Sequence, residues 1–530
     1  MLPRGLSLVD AALVALLLAG VGVRVLPGLF TSFPMGDGGL FAVMAADIQA
    51  AGYALPHFTS YNGGEIPFAY PPLGLYVLAG LSDLFGVSPI TVMDLWAPLL
   101  AVLSMGSAWL LLAELTDRRT AAWAVALFAL TPRSFEWLIV GGGVTRTLGF
   151  NFALLALWQL AVALRPGAPP RGAAAHALAA GVLAGLCIVT HPEATAFGVI
   201  SVLAFGVREW GRLGRYAGVV ALAALPATAM AMPWLLINLE RHGLGPFLDA
   251  LTSHNNRNVA LEHFFGFDTG AMIPVDPIKV AGMLGLVLLL LRRSWFVPAW
   301  YGALMLLITG AGPTYAMLPG ALAAMEGIRW LAARVAASWV RPLAAAGAGV
   351  AVLLAALAPL QPLSPTRQVS EDARQVMAWV RTHTSPDARF AVVSGTFWWA
   401  DTEAEWFPAL TGRISVATAQ GAEWLGEERW NEALQSHERL QGCANAGVRC
   451  LAGWAGEFDI EVDYVWRRGD ATLPLQDALL RTDEGLVAAW DAQQRLDASE
   501  QACASDGRAG VPPGPRGFEA CRRDQRLSTL

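Results

Sequence analysis

The sequence predicts a polytopic α-helical membrane protein with an α/β domain at its C-terminal end. Three observations predict this. Of 530 residues, 55% are hydrophobic and only 15% charged, with a mean hydropathy of +0.47. Soluble domains usually carry about 25% charged residues. Apolar runs near the length that crosses a bilayer recur through the first two thirds of the chain. After Leu360 they stop, and the composition becomes that of a water-soluble domain. The formal net charge of −6 gives no argument for a nucleic-acid partner, and none is expected.

The first run, 7–27, is long, lacks a clear small-residue cleavage site and is followed by more spans, so it reads as a retained helix. Further spans are expected at 90–114, 120–138, 147–164, 174–190, 193–207, 215–237, 276–291, 295–311, 315–333 and 342–360. The short run 71–86, after Pro71-Pro72, reads as a further span or as a re-entrant or interfacial helix. Arginine placement decides. If 71–86 does not cross, Arg4, Arg118-Arg119, Arg165 to Arg171, Arg208 to Arg215, Arg292-Arg293 and Arg334 to Arg341 all fall on the cytoplasmic side. That gives about eleven spans. It divides the chain into a membrane domain, 1–360, and an extracytoplasmic domain, 361–530. An external loop with interfacial helices occupies about 28–89.

The same arrangement gathers Asp37, Glu65, Glu136, Arg146, His191, Glu193 and the loop Asn238 to Asp276 on the outer face. Asp37 opens the stretch GDGGLFAVMAADIQAAGY on a glycine-flanked turn, and Leu40, Met44 and Ile48 follow at helical spacing. An acid there serves as a helix N-cap, as a general base for an incoming hydroxyl, or as a metal ligand. Glu65 sits in the tight loop YNGGEIPFAYPPLG, and Tyr70 before Pro71-Pro72 is expected at the membrane interface. Gly141-Gly142-Gly143 precedes Thr145-Arg146-Thr147. Exposed amides at a helix start beside an arginine suit a phosphate, and a lipid headgroup contact suits them as well. His191-Pro192-Glu193 interrupts two apolar runs, as a helix cap, a substrate clamp or a ligand pair. Asp37, Glu136, His191 and Glu193 are the candidate ligands for a divalent metal. The loop residues His242, His254, Arg257, Glu262, His263 and Asp268 face either substrate or plain solvent.

In the tail, Ser370 is placed to cap a helix from Glu371 to Thr382. Phe390 to Val393 reads as a buried strand. Ile460, Val462, Tyr464 and Trp466 alternate as a strand does, and Glu484 to Leu496 reads as a helix. Residues 509–516 read as loop. Trp398, Trp399, Trp406 and Trp424, with Asp401, Glu403 and Glu405 between them, suit sugar binding or packing. Cys187 lies in a span. Cys443, Cys450, Cys503 and Cys521 fit disulfides, with Cys443–Cys450 and Cys503–Cys521 the most local of three pairings.

GDGGLFAVMAADIQAAGY followed by YPPLGLYVLAG resembles the GT-C superfamily of membrane glycosyltransferases, in its aminoarabinose transferase and protein O-mannosyltransferase branch. The resemblance implies a catalytic acid at Asp37, a second acidic site at Glu136 and a polyprenyl-phosphate sugar donor. Trp398-Trp399-Ala400-Asp401 is similar to the start of the WWDYG motif of oligosaccharyltransferase catalytic subunits but lacks its Tyr-Gly, so sequon binding is not carried over. The reading is an inverting glycosyltransferase. Asp37 acts as base, and Glu65, Tyr70, Glu136, Arg146, His191, Glu193, Trp398 and Trp399 bind substrate. The acceptor is a glycan, a lipid or a protein. A lipid-linked-sugar flippase or other transporter would also explain many spans and buried polar groups. Matching halves with interrupted helices, its usual sign, are not seen. In a non-catalytic polysaccharide-assembly partner Asp37 would be only a cap.

Overall fold

The computed structural model describes residues 8–252, 276–308, 312–335, 337–357, 366–446 and 448–467. His254, Arg257, Glu262, His263 and Asp268, the helix expected at 484–496, Cys503, Cys521 and the loop 509–516 lie outside the described residues. The chain divides into two compact units. One comprises Met1–Val369 and Ala419–Glu432, the other Ser370–Thr418 and Ala433–Leu530.

The first unit is helical. Its helices are α1 (Leu8–Leu29), α2 (Gly39–Ala50), α3 (Leu73–Phe85), α4 (Pro89–Leu115), α5 (Arg118–Leu130), α6 (Gly143–Ala163) and α7 (Pro170–Ile188). There follow α8 (Pro192–Arg208), α9 (Leu213–His242), α10 (Gly245–Thr252), α11 (Pro277–Leu291), α12 (Phe296–Leu307), α13 (Gly312–Ala332) and α14 (Ala337–Leu357). Their starts are written in side chains. The Ser88 hydroxyl accepts from Thr91 N at 3.2 Å. Asp117 accepts from the amides of Arg119 and Thr120, each at 3.0 Å, and Asp276 accepts from that of Ile278 at 2.8 Å.

Six described stretches are long and apolar enough to cross a membrane: Val9–Leu29, Pro89–Leu115, Gly143–Ala163, Pro170–Ile188, Trp210–His242 and Ser338–Leu357. The chain is a multi-pass membrane protein. Helices α5, α8, α11, α12 and α13 stand at the other expected spans, but length and composition alone do not make them crossings. The expected run 120–138 is shortened because Pro132, which lacks an amide for the helical ladder, opens a 3-10 turn after Thr131. Helix α3, with 13 residues, is about 20 Å long against a bilayer core of about 30 Å. Helix α2 departs from expectation. Its apolar face does not meet lipid: Leu40, Met44 and Ile48 are buried against α3 and α4.

Two features fix the helix packing. Arg24 in α1 is fully buried and donates to the carbonyls of Gly20 at 3.0 Å and Ala129 at 2.5 Å and to the Ser134 hydroxyl at 3.3 Å. It thereby meets the carbonyl end of α5, where a cation is favoured. Helices α11 and α13 cross through glycine. A Cβ at Gly285 would collide with the Ala323 carbonyl, and one at Gly327 with that of Ala281. Gly285→Ala is therefore expected to destabilise the membrane unit by about 1–3 kcal/mol through overpacking. A lowered melting midpoint in detergent would register it; Gly347→Ala, where nothing stands within 4 Å, is the control.

The second unit holds a parallel sheet of β1 (Arg389–Val393), β2 (Ile414–Ser415) and β3 (Tyr464–Arg467) in the order β2-β1-β3. Phe390 stands opposite Ser415 and Tyr464. The helices here are α15 (Glu371–His383), capped by Ser370 as expected, α16 (Thr402–Thr411), α17 (Glu427–Gln441), which crosses the unit boundary at Glu432, and α18 (Val448–Glu457). The alternation expected from Ile460 to Trp466 is not what pairs. Only Tyr464–Arg467 joins the sheet, and neighbouring Val465 and Trp466 are both buried, as in a parallel sheet covered on both faces. Cys443 and Cys450 form a disulfide, with Cα atoms 5.5 Å apart. Cys187 is a buried free thiol.

Candidate active site

The segment carrying Asp37 is laid against the glycine turn before α6. The Gly141 amide donates to the Met35 carbonyl at 2.7 Å, and the Gly142 amide to that of Asp37 at 2.9 Å. So close an approach requires glycine. A Cβ at Gly141 would strike the Asp37 carbonyl, and one at Gly142 would lie 2.6–2.8 Å from the Asp37 carboxylate. The chain then turns through Gly38, at φ 148°, into α2. Asp37 does not cap that helix, for Gly38 is its N-cap and no side chain accepts there. Its carboxylate instead accepts from Gly142 N at 3.1 Å, at the positive end of α6.

Arg146, one turn into α6, closes the arrangement. Its Nη2 donates to Asp37 Oδ2 at 3.4 Å, and its Nε faces Glu193 Oε2 at 3.8 Å. Its Nη1 donates to the Trp137 carbonyl at 2.7 Å, with the guanidinium 5.4 Å above the Trp137 ring. The Arg146 and Asp37 side chains are 12% and 16% exposed and that of Glu193 34%, so Glu193 is the looser partner. Two carboxylates share one guanidinium, leaving the cluster one negative charge in excess.

Tyr70 and His191 wall the cluster. The Tyr70 hydroxyl shares a 2.9 Å hydrogen bond with that of Thr145. Its ring meets Phe41, His191 and Trp424 at 5.0, 6.2 and 5.8 Å. Burial pushes the phenol well above its ordinary range, so it stays protonated. His191 caps α8, its Nδ1 accepting from Ala194 N at 3.2 Å, which leaves the hydrogen of the neutral ring on Nε2. Burial, and then the Arg146 charge, hold His191 well below the usual histidine range and therefore neutral.

The chain is similar to the archaeal oligosaccharyltransferase AglB from Archaeoglobus fulgidus, solved with an inhibitory peptide and a dolichol-phosphate. The TM-score is 0.56 at 13% identity, over 85% of this chain and 68% of that one. The chain has the GT-C fold. The Archaeoglobus fulgidus oligosaccharyltransferase in the apo form scores 0.52 at 16% identity over the same shares. ArnT from Cupriavidus metallidurans bound to undecaprenyl phosphate aligns over 79% of this chain and 88% of that one, at 15% identity and a TM-score of 0.49. No protein-family profile and no curated protein matches the sequence.

Within the GT-C helices, five of the residues singled out from sequence converge: Asp37, Tyr70, Arg146, His191 and Glu193. Tyr70 is buried rather than interfacial, because Phe41, His191 and Trp424 enclose it. Glu136 is buried in the turn that also carries Trp137. Glu65 stands apart on the surface, paired with Arg429 at 3.4 Å, a contact of about 0–1 kcal/mol. The tryptophans expected as one cluster separate. Trp424 belongs to the first unit, and Trp406 is fully buried in the second. Trp398 and Trp399 lie on a 3-10 turn after β1, with Trp399 38% exposed. The acids between them are buried: Asp401 caps α16 by accepting from Ala404 N at 3.0 Å, and Glu403 accepts from the Trp466 indole at 3.2 Å.

The α6 start does not offer free amides. Gly142 N is taken by Asp37, and the next amides bond within the turn. Nor do the candidate metal ligands assemble. Among the described residues no three His, Cys, Asp or Glu side chains stand close enough to share an ion. Arg146 holds the place between Asp37 and Glu193 that a cation would take, and the His191 Nδ1 lone pair serves the cap. Sequence reasoning gave no site role to Thr145, Trp137 or Tyr315. Thr145 adjoins a flagged arginine, whereas Tyr315 in GPTYAML carried no signal beyond a polar group opening a span.

Proposed function

We propose that this chain is an inverting glycosyltransferase that moves a sugar from a polyprenyl-phosphate donor to an extracytoplasmic acceptor. The observation that carries this reading is the Asp37 carboxylate pinned beside the Arg146 guanidinium at 3.4 Å. A base and an anion-binding cation then share one small site. The fold shared with AglB, a protein solved with dolichol-phosphate, supports a lipid-phosphate donor.

Asp37 takes the proton of the acceptor hydroxyl as that oxygen bonds to the anomeric carbon. The bond from that carbon to the phosphate oxygen breaks on the opposite face, and the electron pair leaves with the polyprenyl phosphate. Arg146 stabilises the charge that develops there. A phosphate that draws the guanidinium toward itself frees the carboxylate at the moment it is needed. Tyr70 and neutral His191 keep the wall of the site free of added charge. Trp399 offers an exposed aromatic face for an acceptor or sugar, beside Trp398. The outward placement of the second unit is supported by the arginine distribution and by the Cys443–Cys450 disulfide.

The test is release of polyprenyl phosphate by purified protein. Polyprenyl-phosphate and polyprenyl-diphosphate sugars are offered with glycan, lipid and peptide acceptors, with and without a divalent cation. Acceptor-dependent release identifies the donor. No release from any donor by folded protein sinks the reading and favours a transporter or an assembly partner.

Charge balance adds a prediction. An anionic donor has to displace one carboxylate from Arg146, and Glu193 is the more exposed and more distant. Glu193→Gln is expected to lower the KM for donor about fivefold, the scale of a partly screened charge pair, with kcat within about threefold. Initial-rate kinetics measure this, and a collapse of kcat would instead make Glu193 part of the chemistry.

A further inference from the structure

We infer that the Tyr315 hydroxyl is a second hydrogen-bond donor to the phosphate of the lipid donor, alongside Arg146; this rests on the transferase reading above. Tyr315 lies in the first turn of α13 and is fully buried. Its ring is held on two sides, stacked on Phe197 at 5.2 Å and tilted against Phe150 at 5.3 Å. Its hydroxyl has no hydrogen-bond partner among the described residues. Buried hydroxyls are normally satisfied, and one left unpaired costs stability. The buried phenol of Tyr70 and the buried indole of Trp300 both have partners, Thr145 and Ser201. Tyr315 is thus a rigid donor with no acceptor among the described residues.

Its surroundings include the charged cluster. The charges that act on it are those of Glu193 and Arg146, followed by the Cys187 and Tyr70 groups. Conversely, Arg146 interacts with Tyr315 next after Asp37 and Glu193. Its ring partners Phe150 and Phe197 each lie one turn along α6 and α8 from Arg146 and Glu193, so Tyr315 stands near the charged cluster on the α13 side. A phosphate is the ligand that this environment favours. Arg146 is already claimed by two carboxylates, and a neutral phenol adds a donor for an anionic oxygen without adding charge that must be balanced. A held ring also presents its hydroxyl at little conformational cost.

The experiment uses the full chain in detergent, wild type and Tyr315→Phe, a variant that keeps the ring between Phe150 and Phe197. The probes are undecaprenyl phosphate, undecaprenol and inorganic phosphate. Three results are expected. Without ligand, Tyr315→Phe melts at or above the wild-type midpoint. It binds undecaprenyl phosphate about ten- to a hundredfold more weakly, the worth of one hydrogen bond to a charged oxygen. It binds undecaprenol as wild type does. Any binding of inorganic phosphate is expected to show the same loss, which separates headgroup recognition from the lipid chain. A lower midpoint without ligand overturns the inference, because the hydroxyl would then be serving the fold. Equal binding of undecaprenyl phosphate by the two proteins also overturns it and leaves the transferase reading standing. Failure of wild type to bind undecaprenyl phosphate removes the reading of the site itself, and the inference with it.

Discussion

Asp37→Asn is expected to cut polyprenyl-phosphate release about a thousandfold and to leave the protein folded. The size follows from removing a positioned general base, an effect of about 10²–10⁴. Folding survives because the asparagine oxygen can still accept from Gly142 N, as Asp37 does at 3.1 Å. What is lost is the proton-accepting charge and the ion pair with Arg146. That pair is partly buried, and its loss is expected to lower stability by about 1 kcal/mol, a small fraction of the total. The measurement is product release at saturating donor and acceptor, with the melting midpoint taken on the same samples. Asp83→Asn is the control, since Asp83 is an acid in α3 whose carboxylate accepts from Gln49 and Tyr53. Its activity is expected to stay within about threefold of wild type. Transfer by Asp37→Asn at more than a tenth of the wild-type rate would remove Asp37 from the mechanism.

Gly142→Ala is expected to lose about a hundredfold in kcat although it deletes no chemical group. The added Cβ would fall 2.6 Å from Asp37 Oδ2 and 2.8 Å from its Cγ and Oδ1, closer than side-chain carbons are found. Either the carboxylate swings away or the turn opens, and both move the base relative to Arg146. A misplacement of about 1 Å in a reacting group costs about 10²-fold. Gly106→Ala in α4 is the comparison, because nothing stands within 4 Å of a Cβ there. If Gly142→Ala retained full kcat, the close approach of Asp37 to the glycine turn would have no catalytic meaning. Loss of kcat with an unchanged melting midpoint would show that the turn sets the position of the base.

Much of the fold was legible because the bilayer writes it into hydropathy. Helix ends fell within a few residues of expectation where a cap or a proline marked them, as at Ser88-Pro89, Pro170 and Pro192. The exception was the end of α5, where the apolar run continues past Thr131-Pro132 into a turn packed inside the protein. Burial in protein and burial in lipid use the same residues, so sequence could not separate them. The same ambiguity turned the apolar face of α2 inward, against expectation. In the candidate site, the charged members were legible because ionisable groups near membrane depth are rare enough to notice. Tyr315 was not, since a tyrosine opening an apolar run is common and its unsatisfied hydroxyl appears only once the neighbours are known. Between Trp398 and Glu405, where sugar binding and packing were both open, Asp401 and Glu403 serve as a helix cap and an indole acceptor inside the second unit.

The Asp37 segment is braced from the far end of the first unit as well as from the glycine turn. The Gly36 amide donates to the Arg367 carbonyl at 2.6 Å, and the Gln368 side chain donates to the Phe33 carbonyl. During synthesis Asp37 leaves the ribosome well before Arg367 and Gln368. Its last two supports do not exist until residue 368 has been made. The loop bearing the candidate base is therefore translated long before its supports are complete. A nascent chain halted anywhere before that point carries Asp37 without the brace that holds it.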